Sequence, residues 1–273
     1  MLPADYHFHD HFSPDSSADF VDYLEMAKKR GISELCLTNH AEFDPYCDHQ
    51  WTIDLEENYE EFQYWQGREK SLSLRFGYEL GIPDNAEDIA DAFRRIPELP
   101  YDYVLASVHN YQGKSVFSSE WYEGRSYPEA VEAYLAVILD RLKAIGSDAF
   151  DAVGHIDCSC KAFPGSTGSE DLRVRYAYFA DTFDSFARYL IENGKTMEIN
   201  TSAWKHLGSL EPHGLDYLRR FRELGAEFLA FGSDAHRADF LGYRFDEAAE
   251  LAKAAGFRYY ASYRGRKPEP KKL

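Results

Sequence analysis

The sequence is poor in cysteine, in basic charge and in long apolar runs, and each shortage removes a class of explanation. Four cysteines (Cys36, Cys47, Cys158 and Cys160) in 273 residues are too few to staple a chain of this size. Reduced thiols and an intracellular, cytoplasmic location are therefore expected. Cys158 and Cys160 form a short pair with no second pair to complete a thiolate metal site, so they read as small loop residues. Lys and Arg number 30 against 47 Asp and Glu, a formal net charge of −17. So acidic a chain argues against nucleic acid or an anionic membrane as the main partner. A small anionic substrate stays open, because cations seated in a site make it locally positive. No stretch approaches the roughly 18 apolar residues of a membrane span. The opening MLPADYHF also lacks the basic-then-apolar order of a secretion signal.

What the sequence does have is an ordinary globular composition, 44% hydrophobic and 28% charged, and a regular alternation of patterns. The length suits one domain, taken as 1–273. Residues 18–31 read as a helix: Phe20, Leu24 and Ala27 share a face, Ser16 or Ser17 can cap the start, and Lys28 to Arg30 precede Gly31 at the end. A strand pattern follows at 33–40. The same helix-then-strand unit recurs at 54–70 and 72–80, 86–95 and 101–109, 127–145 and 149–157, 169–193 and 195–202, and 212–224 and 226–236. With the opening ADYHFH this gives about seven strands. Such alternation predicts an α/β fold of parallel strands, either a closed barrel or an open doubly wound sheet.

The strand ends carry the chemistry. They finish, in order, with His7 and His9, His40, Glu79, His109, His155 and Asp157, Asn200, and Asp234 with His236. In a parallel barrel these ends open on one face, where active sites sit. Five of the strands therefore bring histidine to one mouth, whereas chance would scatter histidines through helices and loops. In H-x-H on a strand both imidazoles face the same side, so His7 and His9 can grip one ion while Phe8 points into packing. Imidazole and carboxylate suit Zn, Mn or Fe(II) without thiolate, and a carboxylate such as Glu79 can bridge two cations. The candidate ligands His7, His9, Asp15, His40, Glu79, His109, His155, Asp234 and His236 exceed the needs of one ion and suffice for two or three.

The ordered segments HFHDHFSPD, LTNH, GYELG, ASVH, GHID, EINTSAW and GSDAH resemble the polymerase and histidinol phosphatase (PHP) family over nearly the whole chain. The single-domain histidinol-phosphate phosphatases are the most similar group. The resemblance implies a distorted (β/α)7 barrel with its metal site at the C-terminal ends of the strands. It places one ion on His7, His9, Glu79 and Asp234, a second on Glu79, His109 and His155, and a third on Asp15, His40 and His236. His11 and Asp10 have no place in that set and read as outer or solvent-facing residues.

Clustered divalent cations suit phosphomonoester hydrolysis, because they acidify water and spread the charge that develops on phosphorus. Glu79 and Asp234 are the catalytic candidates, Asp234 also as a proton donor to the leaving group. Family phosphatases clamp the phosphate with basic residues after the fifth and sixth strands. The matching positions hold Lys161 and Lys205, where an arginine is expected at the second. Lysine lacks the bidentate fork. Arg237 is a further anion candidate, Trp204 and Tyr111 are candidates for the leaving-group pocket, and Glu42 and His49 for recognition of an imidazole or ammonium. The expected activity is hydrolysis of L-histidinol phosphate. Another small phosphate ester, a non-catalytic metal-binding module and a metal-dependent amide or ester hydrolase are the alternatives. The last is disfavoured because Glu79 stands where a carbamylated lysine is often found.

Overall fold

The computed structural model describes residues 2–43, 53–157, 174–205 (of Lys205 the backbone only) and 214–273. In chain order the elements are β1 (Ala4–Asp5), α1 (Phe20–Arg30), β2 (Glu34–Leu37), β3 (His40–Glu42), α2 (Leu55–Arg68), β4 (Ser73–Gly81) and α3 (Ala86–Arg95). There follow β5 (Tyr103–Ser107), the short hairpin β6 (Asn110–Tyr111) and β7 (Lys114–Ser115), α4 (Tyr127–Ile145), β8 (Ala152–Val153), α5 (Ala180–Glu192) and β9 (Thr196–Asn200). The chain continues with α6 (Leu215–Glu223), β10 (Ala230–Gly232), α7 (Phe245–Ala254), β11 (Tyr259–Arg264) and β12 (Lys267–Lys272).

Local rules account for most of these bounds. The stripe Phe20, Leu24 and Ala27 of α1 is buried, as its spacing requires. The cap of α1 is Asp19, whose backbone N–H donates to Asp22 Oδ2 at 3.2 Å. Ser16, read from the sequence as a cap, instead sets its hydroxyl 2.7 Å from the carbonyl of His9 and 3.1 Å from that of His236. Asp54 and Asn85 cap α2 and α3 through their side chains. Several expected strands are shorter than their patterns, β8 above all, because the chain turns out of the sheet as soon as it reaches the site residues.

The sheet runs β1-β2-β4-β5-β8-β9-β10, every pair parallel, with β3 added on β4 so that His40 stands opposite Glu79. Its two edges meet. Tyr6 N donates to Phe231 O at 3.1 Å, Asp234 N to His7 O at 2.7 Å and His9 N to Ala235 O at 2.8 Å. Of the two architectures open from alternation alone, the barrel is the one formed. Phe8, fully buried, faces away from the mouth and packs 4.7 Å from Tyr23 and 6.2 Å from Phe20, ring centre to ring centre. Burial of one such side chain contributes roughly 2 kcal/mol.

The hairpin β11–β12 lies outside the strand–helix units. Gly265 and Arg266, at φ +52° and +63°, form its two-residue turn, a conformation that favours glycine at one position at least. It closes the end at which the barrel strands begin. Ala261 N donates to Leu229 O, Arg266 N to Asp102 O and Tyr263 N to Tyr6 Oη.

Candidate metal centre

The opposite end of the barrel gathers the strand-end residues. His7 and His9 follow β1 on one face, and their Nε2 atoms are 3.1 Å apart. Glu79, in the last turn of pleat on β4, sits at the centre. Its Oε2 is 3.0 Å from His40 Nδ1, 3.4 Å from His7 Nε2 and 3.5 Å from His9 Nε2. Its Oε1 is 2.9 Å from His155 Nε2 and 3.2 Å from His109 Nε2. Asp234 Oδ1 lies 3.5 to 3.6 Å from His9, His236 and His7. On the outer side Asp15 Oδ2 is 2.8 Å from His236 Nε2 and 3.7 Å from His40 Nε2. The rings of His40 and His236 both lie against His9, 4.2 and 4.3 Å away, and 5.9 Å from each other, centre to centre.

Two of these residues leave strand geometry. His155 has φ +23° and Asp234 φ +51°, unusual values for side chains of this kind, of the sort that a surrounding structure must hold in place. Asp234 and His236, two residues apart like His7 and His9, therefore do not share their strand geometry. They converge because the backbone bends past β10, not because it continues the pleat.

The hydrogen bonds behind the imidazoles fix which nitrogen faces inward. Asn39 Nδ2 donates to Asp10, so Asn39 Oδ1 is an acceptor, and Ser13 Oγ donates to it at 2.9 Å. The Ser13 hydroxyl then accepts from His9 Nδ1 at 3.1 Å. Tyr134 donates to Val108 O at 3.1 Å and accepts from His155 Nδ1 at 3.5 Å. Glu198 Oε1, 2.7 Å away, accepts from His7 Nδ1, and Glu42 accepts from His109 Nδ1. His236 Nδ1 donates to Asp234 O at 3.1 Å. In each ring the Nε2 lone pair is left aimed at the cluster. Lone pairs thus face lone pairs and carboxylate oxygens at contact distance. Glu79 Oε2, buried, makes no hydrogen bond among the described residues. Only cations, protons or metal ions, reconcile such a set.

The electrostatics say the same. Burial alone would push the Glu79 carboxyl up, but His7, His109 and His40 outweigh it and hold the carboxyl well below its ordinary value. Burial lowers His40, yet Glu79 and Asp15 raise it to about 9. His7 and His109 are raised in the same way, the first chiefly by Glu198 and the second by Glu42, each against burial. His9 is pushed down by burial and by the neighbouring His40 and His236. The site calls for positive charge at its centre, and its donor set of imidazole nitrogen and carboxylate oxygen fits divalent transition ions.

The other candidates from the sequence fare differently. Arg237 is 68% exposed and paired with Asp239, 3.0 Å away, beside α1 rather than over the cluster. Trp204 is only 7% exposed, packed into the main core with the Arg244 guanidinium 5.3 Å from its ring centre. Tyr111 lies on β6 against Trp121. His11 is 40% exposed and faces Asp19 and Glu61. Asp10 is buried and bonded to Asn39, behind the ligands and not at the surface. Glu42 lies on β3 and stands behind His109. Asp157 turns away toward Tyr217. Lys161, His49 and the Lys205 side chain lie outside the described residues.

Glu198 escaped the sequence reading. Its signal was a glutamate inside the strand pattern KTMEINTS, two residues before Asn200 and so on the same face. A charged residue is unfavourable in such a place unless it has a partner.

A closed parallel barrel with six imidazoles and three carboxylates pooled at the strand ends defines a barrel protein with a site fit for metal ions. The particular family follows from comparison: the PHP domain profile matches residues 5–202, and the chain belongs to that family. The histidinol-phosphatase of Lactococcus lactis is 30% identical over 275 residues, covering 100% of this chain and 98% of the relative. That of Bacillus subtilis is 25% identical, covering 92% of this chain and 99% of the relative. A crystal structure of the Lactococcus lactis histidinol phosphate phosphatase, complexed with zinc, L-histidinol and phosphate, superposes with a TM-score of 0.86 at 28% identity, covering 98% of this chain and all of the other.

Proposed function

We propose that the protein is a metal-dependent phosphomonoesterase that hydrolyses L-histidinol phosphate to L-histidinol and phosphate. One observation carries the reading: inward Nε2 lone pairs and three carboxylates converge at the mouth of a barrel that matches a histidinol-phosphatase over its full length. His7, His9, Glu79 and Asp234 would hold one ion, Glu79, His109 and His155 a second, and Asp15, His40 and His236 a third. Zinc is the ion of first choice, since the Lactococcus lactis structure contains it; manganese and iron suit the same donors. Bound there, such ions supply Lewis acidity toward the phosphoryl oxygens and an acidified water.

The protein's own groups do the positioning. Glu79, central and shielded from solvent, would serve both inner ions, since its two oxygens face different pairs of imidazoles. Asp234 sits at the rim of the inner cluster, with Ser202 Oγ 2.7 Å from its Oδ2; in this reading it would take a proton from the attacking water and give it to the departing alkoxide. Lys161 and Lys205 are the proposed phosphate clamp. Acting as point charges, they would lower KM more than they direct the phosphoryl group.

The test is inorganic phosphate release from L-histidinol phosphate by zinc-reconstituted protein, beside a panel of sugar and nucleotide phosphates. A kcat/KM of about 10⁴ M⁻¹s⁻¹ or more, well above the panel, is the expected result. Faster turnover of another ester would keep the metal centre and discard the substrate.

A further inference from the structure

Two buried carboxylates, Glu198 and Glu42, have no place in the ligand set above, yet each backs one of its histidines. Glu198 accepts from His7 Nδ1 with one oxygen. With the other it accepts from His155 N at 2.9 Å and Asn200 Nδ2 at 3.1 Å. Glu42 accepts from His109 Nδ1. Each occupies a niche that the last residue of a neighbouring strand leaves open by being glycine. A Cβ on Gly232 would overlap Glu198 Oε1 and His7 Cβ; one on Gly81 would overlap both oxygens of Glu42.

His40 Nδ1, 3.0 Å from Glu79 Oε2, has no counterpart at Oε1, but the other four imidazoles around Glu79 fall into two like pairs. Beside Glu79 Oε2 stand His7, backed by a carboxylate, and His9, backed by the Ser13 hydroxyl. Beside Glu79 Oε1 stand His109, backed by a carboxylate, and His155, backed by the Tyr134 hydroxyl. A carboxylate behind Nδ1 fixes the tautomer, locks the ring and makes Nε2 more basic; a hydroxyl fixes the tautomer without adding charge.

We propose that Glu198 and Glu42 are positioning residues, one for each side of Glu79, that give the two inner cation positions matched donor strength, and that Gly232 and Gly81 serve to admit them. This rests on the metal-centre reading above. It goes beyond that reading by assigning each cation position its own outer carboxylate.

The experiment is zinc titration of the full chain against a chromophoric chelator, for wild type, Glu198→Gln, Glu42→Gln and the double variant. Each single variant is expected to weaken one zinc equivalent by roughly ten- to a hundredfold, a different one in each case, and the double variant two equivalents. Thermal unfolding of the zinc-free proteins serves as the control. Should Glu198→Gln fail to fold, because it also serves His155 N, Glu42→Gln and Gly81→Ala carry the test on the other side. Wild-type zinc affinity in both single variants overturns the proposal, as does equal weakening of every equivalent by either one. In those cases a zinc-loaded, active wild type leaves the phosphatase reading standing. A wild type that binds none of zinc, manganese and iron overturns both.

Discussion

The two ends of the barrel solve the problem of buried polarity in opposite ways. At the end where the strands begin, donors meet acceptors. Asp151 Oδ2 accepts from Val104 N at 2.8 Å and from Arg266 Nε at 2.9 Å. Tyr6 bonds Glu34 and receives Tyr263 N, and the Tyr263 hydroxyl lies 2.7 Å from Thr196 Oγ1. These groups bond to one another, and the β11–β12 hairpin is the piece that joins them; the Tyr103 hydroxyl, buried beside Tyr6 and Tyr263, has no partner there among the described residues. At the mouth acceptors meet acceptors: His7 Nε2 faces His9 Nε2, and His109 Nε2 faces His155 Nε2 at 3.4 Å. The same strands carry both ends, so the satisfied floor holds in register a mouth that is destabilised until cations arrive. Local conflict concentrated at one place is what a functional site looks like.

The largest effect should come from removing the centre of that conflict. Glu79→Gln is expected to cut phosphate release by more than about a hundredfold, since changing even an outer partner of a ligand costs 10- to 100-fold, and to lower bound metal. At neutral pH the zinc-free variant should unfold earlier than zinc-free wild type, because the raised His7, His40 and His109 lose the carboxylate that balances them, and the gap should narrow as pH falls below the ordinary carboxyl range. An unfolding temperature at or above that of wild type would mean that protons on the imidazoles do not stand in for the metal ions around Glu79.

Next in size is metal removal. If ions relieve the mouth, a chelator should lower the stability of zinc-loaded protein by about 4 kcal/mol at a thousandfold excess of ion over Kd. Unfolding followed calorimetrically with and without chelator measures this. No shift would mean that the imidazoles are reconciled by protons alone.

Much of the mouth was legible in sequence because strand geometry is local. The two-residue period aims His7 and His9 together, and histidine recurs at one position of successive units. The resemblance supplied what the period could not, such as Asp15, which lies beyond Pro14 and meets His236 through a turn. What stayed hidden depends on register between strands. Glu42 lies on β3 beside Gly81 of β4, and Glu198 on β9 beside Gly232 of β10. No linear spacing announces that a glycine on one strand makes room for a carboxylate on the next. Trp204 read as a pocket residue for a related reason: an aromatic after a strand end turns to the site or to the core according to its three-dimensional neighbours, and Arg244 covers it. The floor hairpin was missed because its alternation is broken by Pro268 and Pro270, although the turn residues Gly265 and Arg266 were in plain sight.

The floor should respond in stability and not in chemistry. Asp151→Ala leaves Val104 N without its acceptor and Arg266 without its carboxylate. Arg266 is about one third exposed, so water restores part of the loss and the expected cost is about 2–3 kcal/mol. Denaturant unfolding reads this, while kcat of the folded fraction should hold. A fall in kcat would show that the floor sets the register of the mouth and does more than hold it.

The smallest change makes the sharpest test of independence between the ends. Tyr263→Phe removes one hydroxyl and keeps the ring that packs 4.7 Å from Tyr103, centre to centre. Thr196 loses its partner, at an expected cost of about 1 kcal/mol. Thr196 opens β9, the strand that carries Glu198 to the site two residues later. If the ends are independent, zinc affinity in this variant equals that of wild type although stability has dropped. If the loss of one hydroxyl on the floor weakens one zinc equivalent, β9 transmits strain along its length, and Glu198 is held by the floor as much as by Gly232.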